Sequence, residues 1–414
     1  MHFLSLIREF LEDIKTQKTR AFLTIAAITW GTLAVILLMA FGTGLGHQVN
    51  MGMRGAGDRS IRVYGGQTRI RYQGLPVGRS IRLTMDDYHL IQNSLPDVER
   101  ISPQNGEWVR LKLGDKIAST FMEGVYPDFE YLRAIHPGPG GRFINEKDIL
   151  ERRRVVFFGE EIAGEMFGGQ DPIGKTIELN GSPFLVIGIM PKKMQMGMNN
   201  GPDDRRAIIP FSTFQSIYNY RYLGSIIVQP KNLKVYRQVI HDIRELIGNK
   251  YRFDPKDRDA LGMWDHIENE QTMERMFLGI NIFLGVLGAM SLIVAGVGVA
   301  NIMYVVAKER TREIGIKRAV GAKKRHIIFQ FIFEAVLIAG LGGVIGVLIS
   351  LGVVKIMWMM PVEEGVMQFL GRPQISLAVM TVAIGVLTLI GLFAGFFPAR
   401  KAANVDPIEA LRYE

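Results

Sequence analysis

Gly169-Gln-Asp-Pro-Ile-Gly174-Lys175-Thr176 matches the spacing of a phosphate-binding loop letter for letter. In such a loop backbone N–H groups cradle phosphates, the lysine reaches the terminal phosphate and the hydroxyl holds Mg²⁺. That chemistry needs a strand before the loop and a helix after it, whose first N–H groups face the anion. Here residues 160–167 read as helix, and residues 177–187 alternate around an Asn180-Gly181 turn, which reads as a hairpin. The sequence therefore predicts a structural hairpin, not a nucleotide site. Met194, Met196 and Met198 alternate in a Gly/Asn-rich stretch. Thioethers suit Cu(I) but also make adaptable apolar surfaces, and a flexible loop or partner contact is the reading adopted. Glu334 lies inside an apolar run, where a carboxylate is a functional candidate by default. Its place near one end of that run favours anchoring, to Arg325 or a headgroup, over proton coupling. There is no cysteine and the seven histidines are scattered, so no thiolate site or catalytic constellation is assigned.

The strongest signal positions all of these. Residues 308–325 hold eight basic and two acidic residues between two long apolar runs, which marks a cytoplasmic loop by the positive-inside rule. Apolar runs cover 21–46, 276–307, 327–357 and 375–397, each longer than the ~20 residues a helix needs to cross a bilayer. The net charge of +9 is concentrated partly in this loop, which faces anionic headgroups; nucleic acid is not implied. Gly285, Gly288 and Gly296 in the second span, and Gly342 and Gly346 in the third, are candidates for helix packing or a dimer interface, because small residues let helices approach in lipid.

The expected order is an amphipathic helix on the inner membrane surface (1–20), span one (21–46) and an extracytoplasmic domain with its stalk (47–275). Span two (276–307), a cytoplasmic coupling loop (308–326), span three (327–357), a short outer loop (358–374), span four (375–397) and a cytoplasmic tail (398–414) follow. Both termini are then cytoplasmic. The roughly 230 residues between spans one and two suffice for a sizeable folded domain. It reads as mixed α and β, with strands at 61–64, 109–113, 154–158, 176–179, 184–189, 207–209 and 225–228. Helices are expected at 85–95, capped by Thr84, and at 160–167, 211–218 and 233–247, with a helical stalk over 262–275. The fold class is an α+β membrane protein: four transmembrane helices and a large mixed α/β domain inserted between the first two. Seven arginines and one acidic residue between Arg54 and Arg82 read as a solvated surface near headgroups.

Glu309-Arg310-Thr-Arg312-Glu313-Ile314-Gly315-Ile316, followed by Arg318-Ala-Val-Gly321-Ala322, resembles the signature after the second span of MacB/FtsX-type ABC permeases. Pro398-Ala399-Arg-Lys-Ala402-Ala403 … Asp406-Pro407 … Ala410-Leu411-Arg412 and Gly141-Arg-Phe143-Ile144 … Asp171-Pro172-Ile173-Gly174-Lys175 resemble the same family, in order along nearly the whole chain. The resemblance implies a dimer, more readily of identical than of different chains, each subunit docked on a cytoplasmic ABC ATPase. ATP and Mg²⁺ would bind that ATPase, with no cofactor held here. Only about 20 residues precede span one, so a separate ATPase is the expectation. Glu309, Arg310, Arg312, Glu313, Ile314, Gly315, Ile316, Arg318 and Gly321 would form the ATPase-coupling site, with Ile314 and Ile316 as its anchors.

The implied function is inner-membrane mechanotransmission: ATPase closure moves the outer domain for efflux or export, with a periplasmic adaptor and an outer-membrane channel as further partners. An FtsX-like transducer that activates a cell-wall hydrolase, and a lipoprotein-release permease, are the alternatives. A membrane enzyme has no support in the residues. Lys175→Ala is expected to leave transport intact; loss of transport by a normally folded variant would restore the phosphate-loop reading.

Overall fold

The computed structural model describes residues 18–54, 57, 59–193, 201–360 and 371–404. The expected surface helix within 1–17, the Met194/Met196/Met198 loop, Glu363 and Glu364, and the tail from 405 onward lie outside the described residues. The chain divides into two compact units, residues 1–48 with 274–414, and residues 49–273.

Four helices are long and apolar enough to cross a membrane. They are α1 (Lys18–Arg54), α8 (His266–Glu309), α10 (Lys324–Trp358) and α11 (Leu377–Ala403). At 1.5 Å per residue, the 44 residues of α8 extend about 66 Å, twice a hydrocarbon core. Lipid offers no partner to a backbone N–H or C=O, so the helix is the state that satisfies each group locally. Side chains such as Trp30, Val294, Leu348 and Phe393 remain exposed on the outside of this unit, as a lipid-facing surface requires. Inside it, small residues set the contacts. A Cβ at Gly288 would collide with Val35, at Gly342 with Ile28, at Gly346 with Thr32 and at Gly296 with Ile390. Thr29 Oγ1 donates to the Gly342 carbonyl at 3.1 Å across the same close approach. These four glycines therefore pack helices within the chain, whereas Gly285 faces open space.

The second unit is organised on one strand. Its elements are β1 (Ile61–Gly65), α2 (Met85–Ser94), β2 (Val98–Leu113), β3 (Lys116–Val125), α3 (Phe129–Leu132), α4 (Glu146–Leu150), β4 (Val155–Gly159) and α5 (Glu160–Phe167). Then come β5 (Thr176–Leu179), β6 (Ser182–Met190), β7 (Arg206–Pro210), α6 (Phe211–Tyr218), β8 (Ser225–Pro230), α7 (Tyr236–Tyr251) and β9 (Leu261–Asp265). The sheet order is β3-β7-β4-β6-β5-β2-β8-β1-β9, and β3 also pairs with β2. Six strands thus close a ring, from which β8, β1 and β9 extend as an arm. β2 belongs to both: it pairs with β3 over Gln104–Leu113, and with β8 over Val98–Gln104 and β5 at Leu111 and Lys112. The arm packs Ile61, Val63 and Val228 on α2 and α7 through Ile91, Val239 and Ile243. Alternation in β4 sends Val156 and Phe158 to one apolar cluster and Val155 and Phe157 to another.

Two sequence expectations need correction. Residues 262–265 are not stalk helix but strand β9, because β1 offers a full antiparallel partner, Ile61 to Asp265 through Gly65 to Leu261. The helix begins at His266. The arginines between 54 and 82 divide: Arg69, Arg71 and Arg82 are exposed as expected, whereas Arg79 donates to the Tyr251 and Arg252 carbonyls and Arg62 donates to Gln104 inside the domain.

A buried polar network joins arm to ring. Arg62 on β1 donates to Gln104 on β2 (2.7 Å), which donates to Glu123 on β3 (2.8 Å). Arg206 on β7 donates to the same Glu123 oxygen and lies near Asp203, which also meets Arg133 (2.9 Å) and Lys193 (3.0 Å). Burial works against the Asp203 carboxylate, but Arg133, Lys193 and Arg206 outweigh it and hold the group well below the usual carboxylate range. Its folded pKa is depressed, so its stabilisation is present above the unfolded value near 3.9 and is lost as pH falls through the lower folded value. Asp203→Asn should destabilise the domain by about 3 kcal/mol at neutral pH, since it strands buried cations. In urea melts that deficit should shrink below about pH 4; a deficit independent of pH would contradict the assignment.

Candidate coupling site

Between α8 and α10 the chain forms a short helix, α9 (Thr311–Ala319), where the sequence reading expected a loop. Arg310, with φ −92° and ψ 13°, separates it from α8. Thr311 Oγ1 donates to the Lys308 carbonyl at 2.7 Å across the break. The far end closes at Gly321, whose φ of +99° suits a residue without Cβ. Gly321 N–H donates to the Arg318 carbonyl and Ala322 N–H to the Lys317 carbonyl, both at 3.0 Å, so the terminal carbonyls are satisfied.

One face of α9 is tied to the membrane unit. Ile314 is 4% exposed and joins the apolar cluster of Ile327, Phe331, Ala399 and Ala403; Gly315 is buried with it. Burying Ile314 contributes about 2 kcal/mol. Arg310 donates to both Glu334 oxygens, at 3.2 and 3.4 Å. Gln330 donates to Glu334 at 3.3 Å and accepts from Lys317 at 3.4 Å. Arg318 donates to the Ala403 carbonyl at 3.0 Å, and Arg20 pairs with Glu309 at 3.3 Å. Elements that are remote in sequence thus converge on α9 and the two residues before it.

The opposite face is open. Arg312, Glu313, Ile316, Ala319 and Val320 are exposed, at spacings that place Arg312, Ile316, Ala319 and Val320 along one stripe. Ile316 is 47% and Val320 83% exposed. Two expectations change. Ile314 is buried against the spans and not exposed beside Ile316, because the 3.6-residue period turns the two apart. Glu334 is held by Arg310, not Arg325, because the break after α8 points the nearer guanidinium back into the bundle. Val320, Gln330 and Lys317 were missed; only the exposed stripe, visible once α9 is known to be helical, would have found Val320.

The phosphate-loop match resolves as anticipated in geometry. Helix α5 precedes it and strand β5 follows it, and Lys175 Nζ donates to Gln170 at 2.9 Å beside the Phe167 ring.

Residues 21–246 match the MacB-like periplasmic core domain, and residues 285–407 match the FtsX-like permease C-terminal domain. The chain belongs to the MacB/FtsX family of ABC transporter permeases. A MacB/FtsX relative from Chlorobaculum tepidum, named macrolide export ATP-binding/permease protein MacB, is 33% identical over 416 residues, covering 99% of this chain and 62% of the relative. A protein of the same name from Bdellovibrio bacteriovorus is 28% identical over 410 residues, covering 99% and 61%. The chain therefore spans about three fifths of the length of these relatives. The crystal structure of the periplasmic region of MacB from Actinobacillus actinomycetemcomitans aligns at 20% identity and a TM-score of 0.42, covering 54% of this chain and 95% of that one. In this permease α9 coincides with the family signature after the second span, and its fixed and open faces divide the residues of that signature.

Glu334→Ala removes the buried carboxylate to which Arg310 donates, a change that costs about 3 kcal/mol or more. Tryptic cleavage after Arg312 and Arg318 should rise severalfold in the variant, while Glu334→Gln should show a smaller rise. Equal protection in all three proteins would contradict the tie.

Proposed function

We propose that this chain is the membrane subunit of an efflux or export system. It couples ATP hydrolysis by a separate cytoplasmic ATPase to movement of the domain formed by residues 49–273. The observation that carries the reading is the two-faced α9: one side fixed to the spans by Ile314, Arg310 and Arg318, the other presenting Arg312, Ile316 and Val320. A helix held this way transmits a push instead of absorbing it, and its open face has the small apolar centre and charged rim of a docking surface. The basic residues of α9 and of the turn after it support an orientation with this end of the bundle and both termini in the cytoplasm and the outer domain in the periplasm. The names of the relatives, which join ATP binding to export, support the ATPase partnership and the direction of transport.

The working assembly is then a dimer of identical chains in the inner membrane, each docked on an ATPase that holds ATP and Mg²⁺. A periplasmic adaptor and an outer-membrane channel complete an export path. Transport by such an assembly needs no passage through the permease itself; the outer domain acts on substrate already on the far side.

Ile316→Asp combined with Val320→Asp should lower capture of the ATPase by tagged full-length chain from solubilised membranes by more than about tenfold, since buried apolar anchors carry most docking energy. The outer domain should melt as in the parent. Undiminished capture would refute α9 as the docking element.

A further inference from the structure

A cavity of about 640 Å³ opens between the ends of α8 and α11, lined by Asn301, Tyr304, Val305, Lys308, Thr311 and Lys401, with Ala307 and Ala402 at its back. Lys308 is in the last turn of α8 and Lys401 in the last turn of α11, so both ammonium groups sit where two spans leave the hydrocarbon. Neither has a carboxylate partner among the described residues; Glu309, next to Lys308 in sequence, pairs with Arg20, and Glu334 pairs with Arg310. Lys401 Nζ lies 5.6 Å from the centroid of the Tyr304 ring, and this cation–π contact holds it over the cavity mouth. Asn301 adds an amide and Tyr304 a phenol, while Val305, Ala307 and Ala402 supply an apolar wall continuous with the spans.

Two cations, neutral donors and an apolar wall at the water–hydrocarbon boundary fit one kind of ligand. We propose that this cavity binds the headgroup of an anionic phospholipid, with its phosphate between Lys308 and Lys401 and its glycerol and first acyl carbons on Val305 and Ala402. Assignment to the inner leaflet rests on the orientation proposed above; the headgroup chemistry does not. Each lysine near an anionic headgroup adds to the attraction. A soluble phosphate would use the two lysines but gain nothing from the apolar wall. The site would tether the ends of α8 and α11 to a lipid directly beside Thr311, the first residue of α9, and so make the placement of α9 sensitive to membrane composition.

The test is native mass spectrometry of the delipidated full-length chain, titrated separately with dioleoylphosphatidylglycerol and dioleoylphosphatidylcholine. The parent should retain phosphatidylglycerol in preference. Lys308→Gln with Lys401→Gln should weaken that retention by roughly tenfold or more and leave phosphatidylcholine unchanged. Lys308→Arg with Lys401→Arg should keep it. Equal retention of the two lipids by the parent, or unaltered phosphatidylglycerol binding in the glutamine variant, overturns the site. Displacement of the lipid by excess glycerol phosphate overturns the lipid in favour of a soluble phosphate. Should the glutamine variant fail to fold, acetylation of lysines in the parent decides. Phosphatidylglycerol should protect Lys308 and Lys401 where phosphatidylcholine does not, and equal labelling overturns the proposal. No ATPase is present in either measurement, so failure here leaves the coupling reading standing.

Discussion

The pairing of Arg310 with Glu334 is the contact on which the α9 end of the membrane unit depends. A carboxylate inside a span is tolerated only when a partner and hydrogen bonds compensate its lost hydration. Glu334 obtains both, from Arg310 and from Gln330 one turn away on its own helix. The demand is mutual. Arg310 must turn inward to meet it, and that requirement ends α8 and sets the direction in which α9 begins. Ile314 and Arg318 then have their partners within reach, and the remaining side chains are left facing outward. One buried charge thus fixes which half of a nine-residue helix stays exposed.

The same economy appears in the other unit. Glu123 accepts from the Gln104 amide and the Arg206 guanidinium, and Asp203 is shared by Arg133, Lys193 and Arg206, groups that arrive from different strands and turns. Such networks are seldom the most stabilising filling for a given volume, since dehydrating the charges offsets much of their attraction. What they give is specificity of arrangement: β1, β2, β3 and β7 have one register in which Arg62 meets Gln104 and both Gln104 and Arg206 meet Glu123.

The four spans were legible because a bilayer filters composition directly, and runs such as 327–357 have no competing explanation. The resemblance carried by residues 309–322 and 398–412 was legible for a different reason, as wording and not as physics. Strand β2 was half hidden. Its Ser102-Pro103-Gln104-Asn105-Gly106 stretch has the composition of a turn, and only residues 109–113 read as strand. Tertiary pairing overrides that local signal: Pro103 lies opposite Ile226, and Gly106 leaves room for the Phe121 ring. β9 was hidden by its polar neighbours, since its partner β1 lies almost two hundred residues upstream. In the coupling site the residue types were visible but their faces were not. Ile314 and Ile316 look equivalent until the helical period separates them, and the Arg20–Glu309 pair, 289 residues apart, leaves no local trace.

The long strand β2 has a further consequence, for unfolding. A domain with two separate sheets could lose one and keep the other, exposing a sticky edge each time. Here the ring and the arm hold the same sixteen residues, so neither can come apart without stripping hydrogen bonds from the backbone of the other. Breathing is thereby confined to peripheral helices and turns, and amide protons along the middle of β2 exchange only when the whole domain opens. A domain built this way has no seam at which one part opens before the rest.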